Sequence, residues 1–334
     1  MSRNECHSTD KCSRVLFWHV HGSWSTAFVQ GRHTYLIPVT TERAPDGTVR
    51  RRGGRPTAWD WPPSAVEVKL AHLDRGDVDV AVLQRPEELE LVRRHLGDGV
   101  PAVYLEHNTP KGDVPCSRHP MADRGDIPVV HVSHFNDLMW DCGSVPTTVI
   151  PHGIIDPGHR YTGELERAAV VINEPIRRWR VTGTDLLPRF AAVAGLDVFG
   201  MCVTGLARRL GLPDGRLREV GDLPQDELHT EVARRRLYLH TSRWTSLGLS
   251  LLEAMALGTP VVVLATTEAV TAVPPEAGVL ATDVDALVEA TASLMADPGR
   301  AAELGRSARE VALRDFALAP FLRRWDELLW EVAR

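Results

Sequence analysis

TSRWTSLGLSLLEAMALGTPVVVL, Thr241 to Leu264, reads as a loop, an amphipathic helix from Leu247 to Leu257, a glycine stop at Gly258 and a strand from Pro260 to Leu264. The strand carries Val261 to Leu264 without a polar break, which suits a strand covered on both faces in a parallel sheet. In the loop, Ser246, Leu247, Gly248 and Leu249 stand where the first amides of a helix lack intrahelical partners. Those amides and the positive end of the helix dipole favour an anion, for which a phosphate is the usual occupant. Glu253 follows inside the helix. A carboxylate that near a phosphate is unfavourable unless it accepts from hydroxyls, and ribose hydroxyls are natural donors for it.

The same alternation of strand and helix runs outward in both directions. Toward the N-terminus, Val15 to Val20 reads as a buried strand ending at His21-Gly22-Ser23, with a short helix near Ser25 to Gln30 and a second strand from Thr34 to Val39. Further strands are predicted at Asp79 to Leu83, Val100 to Leu105, Ile127 to Val132 and Thr147 to Pro151, with a helix from Pro86 to Gly97 and another capped by Ser133. Asp156 to Glu166 is the best linker, and a second series follows at Ala168 to Ile172, Leu196 to Phe199, Leu217 to Val220 and Leu237 to His240, with a helix from Pro224 to Arg235. The expected fold class is α/β, with two doubly wound parallel-sheet domains, 14–155 and 156–316, facing a central cleft. Residues 317–334 form an amphipathic helix expected to cross back onto the first domain. Open sheets of this kind bind ligands at the carboxyl ends of their strands.

A chain of 334 residues is long enough for two cores. Its net charge of −6 gives no basic field, so nucleic acid is not an expected partner. Only Lys11, Lys69 and Lys111 among 38 basic residues are lysine, so an arginine cluster carries less information here than usual. Five cysteines, at positions 6, 12, 116, 142 and 202, make no paired framework. The polar start and the lack of a long apolar run point to a cytoplasmic chain, with peripheral membrane contact left open. Cys6, His7 and Cys12 match no zinc spacing and read as a tail.

Leu247-Gly248-Leu249 followed by Leu252-Glu253-Ala254-Met255-Ala256-Leu257-Gly258-Thr259-Pro260-Val261-Val262 resembles the donor-binding motif of glycosyltransferase family 4. The resemblance implies a GT-B fold, a nucleotide-diphosphate sugar donor held by the second domain, no cofactor, no obligatory metal, and retention at the anomeric carbon. It also implies that Glu253 holds the ribose. The family's first motif carboxylate, eight residues earlier, is replaced by Thr245, whose hydroxyl is a weaker partner for the transferred sugar. In INEPIRRWRVTGTDLL, placing Gly183 on the family glycine sets Arg177 on the arginine that meets the diphosphate. The same placement sets Thr182 on the family lysine, with Arg178 and Arg180 near enough to replace the lost charge. Gly22 and Ser23 stand at the family's first glycine-rich loop, and His107 at a histidine near the sugar. His152 stands where the family usually has Asn.

The plainer readings are a surface carboxylate at Glu253, a solvated arginine run at Arg177 to Arg180, and a satisfied strand-end histidine at His107. His19 and His21, read as one face of a strand, have no nearby metal partners in sequence. Trp59, Trp61, Trp179 and Trp244 suit either sugar stacking or packing. Arg43 to Arg55 reads as a flexible loop, or as a site for an anionic acceptor or membrane surface. The expected function is a retaining glycosyltransferase acting on an unidentified acceptor, a small molecule, lipid or polysaccharide. The alternatives are a non-catalytic nucleotide-sugar binder and a GT-B epimerase or phosphorylase.

Overall fold

The computed structural model describes residues 12–43, 49–56 and 61–334; Cys6, His7 and Trp59 lie outside them. The chain forms two units, one holding residues up to Gly153 together with Ala319–Arg334, the other Ile154–Leu318.

The first unit runs β1 (Arg14–Phe17), α1 (Gly22–Phe28), β2 (Thr34–Arg43), β3 (Val49–Gly53), β4 (Ala65–Val68), β5 (Val80–Leu83), α2 (Pro86–Leu96), β6 (Ala102–Glu106), β7 (Val129–His131), α3 (His134–Met139) and β8 (Thr147–Val149). Sheet order is β3-β2-β1-β5-β6-β7-β8, with β4 also on β2, and only β3 is antiparallel. Helix α2 carries Pro86 in its first turn with Glu87 and Glu88, basic residues in its last turn, and Gly97 at φ 81° behind it. These are the charges and caps its dipole favours. Ser133 caps α3 by accepting from Asn136 N at 3.1 Å.

Three expectations change here. Part of the segment expected to be a flexible loop is a strand: β3 pairs with β2, Glu42 opposite Arg50 and Thr40 opposite Arg52. A run of charged residues is what the edge strand of a sheet tolerates. Strand β1 ends at Phe17, where its pairing with Val82 ends, so His19 and His21 lie in the following loop and not on a strand face. The first helix begins at Gly22, three residues earlier than predicted.

The second unit runs β9 (Leu165–Val171), α4 (Pro175–Arg178), α5 (Leu187–Ala191), β10 (Gly195–Phe199), α6 (Leu206–Arg209), β11 (Leu217–Gly221), α7 (Gln225–Arg234), β12 (Arg235–His240), α8 (Leu249–Leu257), β13 (Val261–Leu264), α9 (Ala269–Ala272), β14 (Gly278–Ala281), α10 (Val284–Ala296) and α11 (Pro298–Asp315). Its sheet is parallel throughout, in the order β11-β10-β9-β12-β13-β14. The predicted linker gives up its end to β9, where Leu165 pairs with Arg235 and Arg167 with Gly195. Helix α8 is not amphipathic, since Leu251 to Leu257 are all buried, Glu253 included. Asp197 on β10 is wholly buried between two arginines, Arg167 Nε at 2.5 Å and Arg235 Nη2 at 2.8 Å.

Helix α12 (Leu318–Val332) buries Phe321, Trp325 and Leu329. Trp325 packs edge-on against Trp24 at 5.6 Å and Phe28 at 5.1 Å. Asp326 meets His33 Nε2 at 2.9 Å and Arg32 Nε at 3.2 Å. Gly153 admits the helix, because a Cβ there would fall 2.5 Å from Phe321 Cβ.

Candidate functional site

In the second unit the strand order turns at β9 and β12: β10 and β11 add on one side, β13 and β14 on the other. Loops leaving two such strands diverge, and the crevice at their carboxyl ends is where sheets of this class bind ligands. The two loops here are those singled out in the sequence, and they are tied together. Thr241 Oγ1 donates to Thr182 O at 2.9 Å, Arg243 N to Val181 O at 2.8 Å, and Arg243 Nη1 to Arg180 O at 3.1 Å. Gly183, at φ 68°, lies so close that a Cβ would stand 1.9 Å from Thr241 O. The backbone is also held in sparsely populated conformations, with Glu174 at φ 55° and Trp179 at φ 33°, a kind of strain that gathers at functional sites.

The structure thus joins Arg180, Val181 and Thr182 to Thr241, Arg243 and Trp244; Arg177 and Arg178 stand just before the first segment, on α4, and Thr245 to Gly248 just after the second. Four guanidinium groups, with Arg243 counted, face two carboxylates. Arg177 Nε donates to Glu174 Oε1 at 2.8 Å, Arg180 Nη1 reaches Asp185 Oδ2 at 3.1 Å, and Arg243 Nη2 reaches the same oxygen at 2.9 Å. Arg177 and Arg180 are about 70% exposed, so a ligand can reach them. Burial, then the neighbouring charge of Arg177, lowers the Arg178 pKa from its ordinary value. Thr182 is buried, its hydroxyl donating to Trp179 O at 3.1 Å and sharing a 2.8 Å bond with Thr184 Oγ1.

At α8 the helix opens at Gly248 without a side-chain cap, leaving its first amides as donors. His240, at the end of β12, packs beneath this turn, and a Cβ on Gly248 would fall 2.7 Å from its Cε1. Burial lowers its pKa to about 4, so this imidazole brings no charge to the turn at neutral pH. Glu253 accepts from Gln225 Nε2 at 2.8 Å, and its other oxygen lies 3.6 Å from His229 Nε2. A buried carboxylate needs such partners, and four lone-pair sites leave room for further donors. Gln225, His229 and His240 were not singled out from sequence; the only signal was their place at a strand end or helix start. Of the tryptophans, Trp61 is buried beside Phe17, while Trp179 lies under Arg209 at 5.2 Å.

In the first unit the corresponding turn in strand order falls between β1 and β5. Gly22 and Ser23 open α1 there, and His21 lies against His107 with ring centroids 4.0 Å apart and the planes tilted by 40°. His152 lies 6.4 Å from His107 with its ring nearly parallel, and its buried Nδ1 has no hydrogen-bond partner. Among the described residues, no group of three or more His, Cys, Asp or Glu is set to hold a metal ion. Burial lowers the pKa of His21 and His131 to about 4, of His152 to about 3, and of His107 well below 6.5.

These shifts fix a sign. Below about pH 6.5 the unfolded chain binds protons at four histidines that the folded unit leaves neutral, His21 and His131 until about pH 4, His152 until about pH 3 and His107 well below 6.5, so stability is lost as pH falls below about 6.5. Glu88 opposes this, because burial raises its pKa to about 7 and the folded unit keeps a proton the unfolded chain releases above 4.5. Four groups outweigh one, and the melting temperature of the first unit is expected to be lower at pH 5 than at pH 7. Calorimetry at the two pH values checks it, and a higher value at pH 5 contradicts the neutral cluster.

Residues 205–311 match the family described as glycosyl transferases group 1. No curated protein matches the chain in sequence. In structure the chain is similar to sucrose-phosphate synthase from Thermosynechococcus elongatus, at 17% identity and TM-score 0.70 over 96% of this chain and 99% of that one. It is also similar to Anabaena Alr3699/HepE in complex with UDP-glucose, at 15% identity and TM-score 0.68 over 96% and 100% of the two chains. A glycosyltransferase from Rickettsia africae follows, at 13% identity and TM-score 0.61 over 97% and 99%. At such identities the likeness shows the fold, which is GT-B. Among the described residues no helix is long and apolar enough to cross a membrane.

Proposed function

From the group 1 glycosyl transferase match over residues 205–311, we propose that the protein transfers a sugar from a nucleotide-diphosphate sugar to a hydroxyl acceptor, with retention at the anomeric carbon. The observation that supports this best is the joining of the two loops at the β9/β12 turn, directly ahead of the uncapped start of α8 and the buried Glu253. The excess guanidinium charge and the helix amides would steady the departing diphosphate. Glu253 would accept from the ribose hydroxyls on the lone pairs that Gln225 leaves. Thr245 and His107 would meet the transferred sugar, Gly22 and Ser23 would meet the donor phosphates, and the first unit would take the acceptor. No protein nucleophile is assigned, and the leaving phosphate would accept the acceptor's proton. No step here calls on a metal or a cofactor.

Thermal-shift measurement against UDP-, GDP-, ADP- and dTDP-sugars tests the donor site, since a ligand of the folded state alone raises its melting temperature. The anomeric configuration of the product, read by NMR, then tests retention. Glu253→Ala is expected to weaken nucleotide-sugar binding about tenfold to hundredfold, the worth of one or two hydrogen bonds to a charged group, with the fold intact. Unchanged affinity in titration calorimetry would remove the ribose role.

A second reading, a nucleotide-sugar binder without turnover, is favoured by Thr182 alone: its hydroxyl is engaged within its own loop and offers a diphosphate no charge. Donor binding with neither transfer nor hydrolysis would select it.

A further inference from the structure

We infer that Gln84 is a positioning residue: its side-chain amide holds His107 in the tautomer protonated at Nε2, so that Nδ1 keeps a lone pair for a hydroxyl of the ligand. The sugar contact rests on the proposed meeting of His107 with the transferred sugar; the tautomer does not.

Gln84 follows β5 at the point where the strand order of the first unit turns. Its Nε2 donates to Trp18 O at 2.6 Å. A backbone carbonyl can only accept, so the amide nitrogen must face Trp18 and the amide oxygen must face the histidine. That oxygen lies 2.9 Å from His107 Nε2 and can itself only accept. The proton of a neutral imidazole therefore sits on Nε2, and Nδ1 is left as the acceptor.

Both partners are held. Gln84 N donates to Glu88 Oε2 at 2.7 Å, and Tyr104 Oη donates to Gln84 O at 3.3 Å. The loop that carries His107 is fixed by Glu106, whose Oε1 accepts from Asn108 N at 2.6 Å. His21 covers one side of the imidazole and Trp24 meets it edge-on at 5.2 Å. A bare imidazole nitrogen accepts a hydroxyl proton.

Long-range 1H–15N NMR of the histidine-labelled protein tests the tautomer without any ligand. Wild type is expected to show a protonated Nε2 and a bare Nδ1 at His107. Gln84→Met keeps the length and removes the acceptor, so the tautomers should mix, whereas Gln84→Glu keeps an acceptor and should keep the Nε2 proton. A proton on Nδ1 in wild type, or an unmoved spectrum in Gln84→Met, overturns the inference.

With UDP and UDP-glucose as probes, the affinity that UDP-glucose gains over UDP should fall about tenfold in Gln84→Met, with UDP itself bound as before. An unchanged gain in Gln84→Met overturns the sugar contact. Failure of wild type to bind UDP or UDP-glucose counts against the donor reading, and the spectrum then decides the role of Gln84 separately.

Discussion

Asp197→Ala is expected to cost the second unit about 3–5 kcal/mol, the penalty for removing one member of a buried charge cluster. Asp197 is wholly buried, and its two oxygens serve Arg167 on β9 and Arg235 on β12, which is itself buried. Removing the carboxylate leaves two guanidinium groups facing each other in the middle of the parallel sheet. Arg235 keeps the carboxylate of Glu231, its bond to Glu231 O at 2.7 Å and its place over the Phe199 ring at 5.1 Å, so the cost falls mainly on Arg167, which is left with the backbone carbonyls of Leu196 and Gly215 alone. Two units need not unfold together, so the loss should appear in one transition of a calorimetric scan while the other stays put. A fall below about 1 kcal/mol would mean that water reaches the arginines.

Gly183→Ala is the largest effect expected on the donor site. The alanine must adopt φ 68° and place its methyl 1.9 Å from Thr241 O. The strained conformation and the overlap together cost about 2–4 kcal/mol, and relief can come only by driving the two joined loops apart. Donor binding should therefore fall further than in Glu253→Ala, because the loop arginines and the start of α8 move together. Gly211→Ala is the matched control: it also has a positive φ, 65°, but open space at its Cβ, so it carries the conformational cost alone. Equal donor affinity in the two variants would mean that the loops adapt without loss.

Much of the fold was legible because parallel strands announce themselves as unbroken apolar runs. Val80 to Leu83 and Val261 to Leu264 were found that way and are buried to the last residue. What escaped lacked that signal. Strand β3 is Val-Arg-Arg-Arg-Gly, an edge strand paired with β2, and its sequence carries no apolar run. Helix α8 carries a carboxylate that suggests a wet face until its partner on α7 is seen. Local periodicity cannot report a partner 28 residues away, the separation of Gln225 and Glu253. For the candidate site, the motif loops were visible as segments, but their joining was not, since Thr182 and Thr241 meet across 59 residues. The Gln84–His107 bond was equally hidden, because nothing in either neighbourhood marks a glutamine as the holder of a histidine proton.

Helix α12 has a consequence for how the chain is made. Its Phe321 and Trp325 complete an aromatic cluster whose other members, Phe17, Trp24, Phe28, Tyr35 and Trp61, are synthesised long before them. Between the two lies the whole of the second unit, Ile154–Leu318. During synthesis the second unit can therefore finish folding while the first, though earlier in the chain, still exposes the sticky face that α12 will cover. A chain tethered to the ribosome by a C-terminal extension, with residues only up to 318 emerged, would hold one finished unit and one unfinished one, and it is the older of the two that would draw a chaperone.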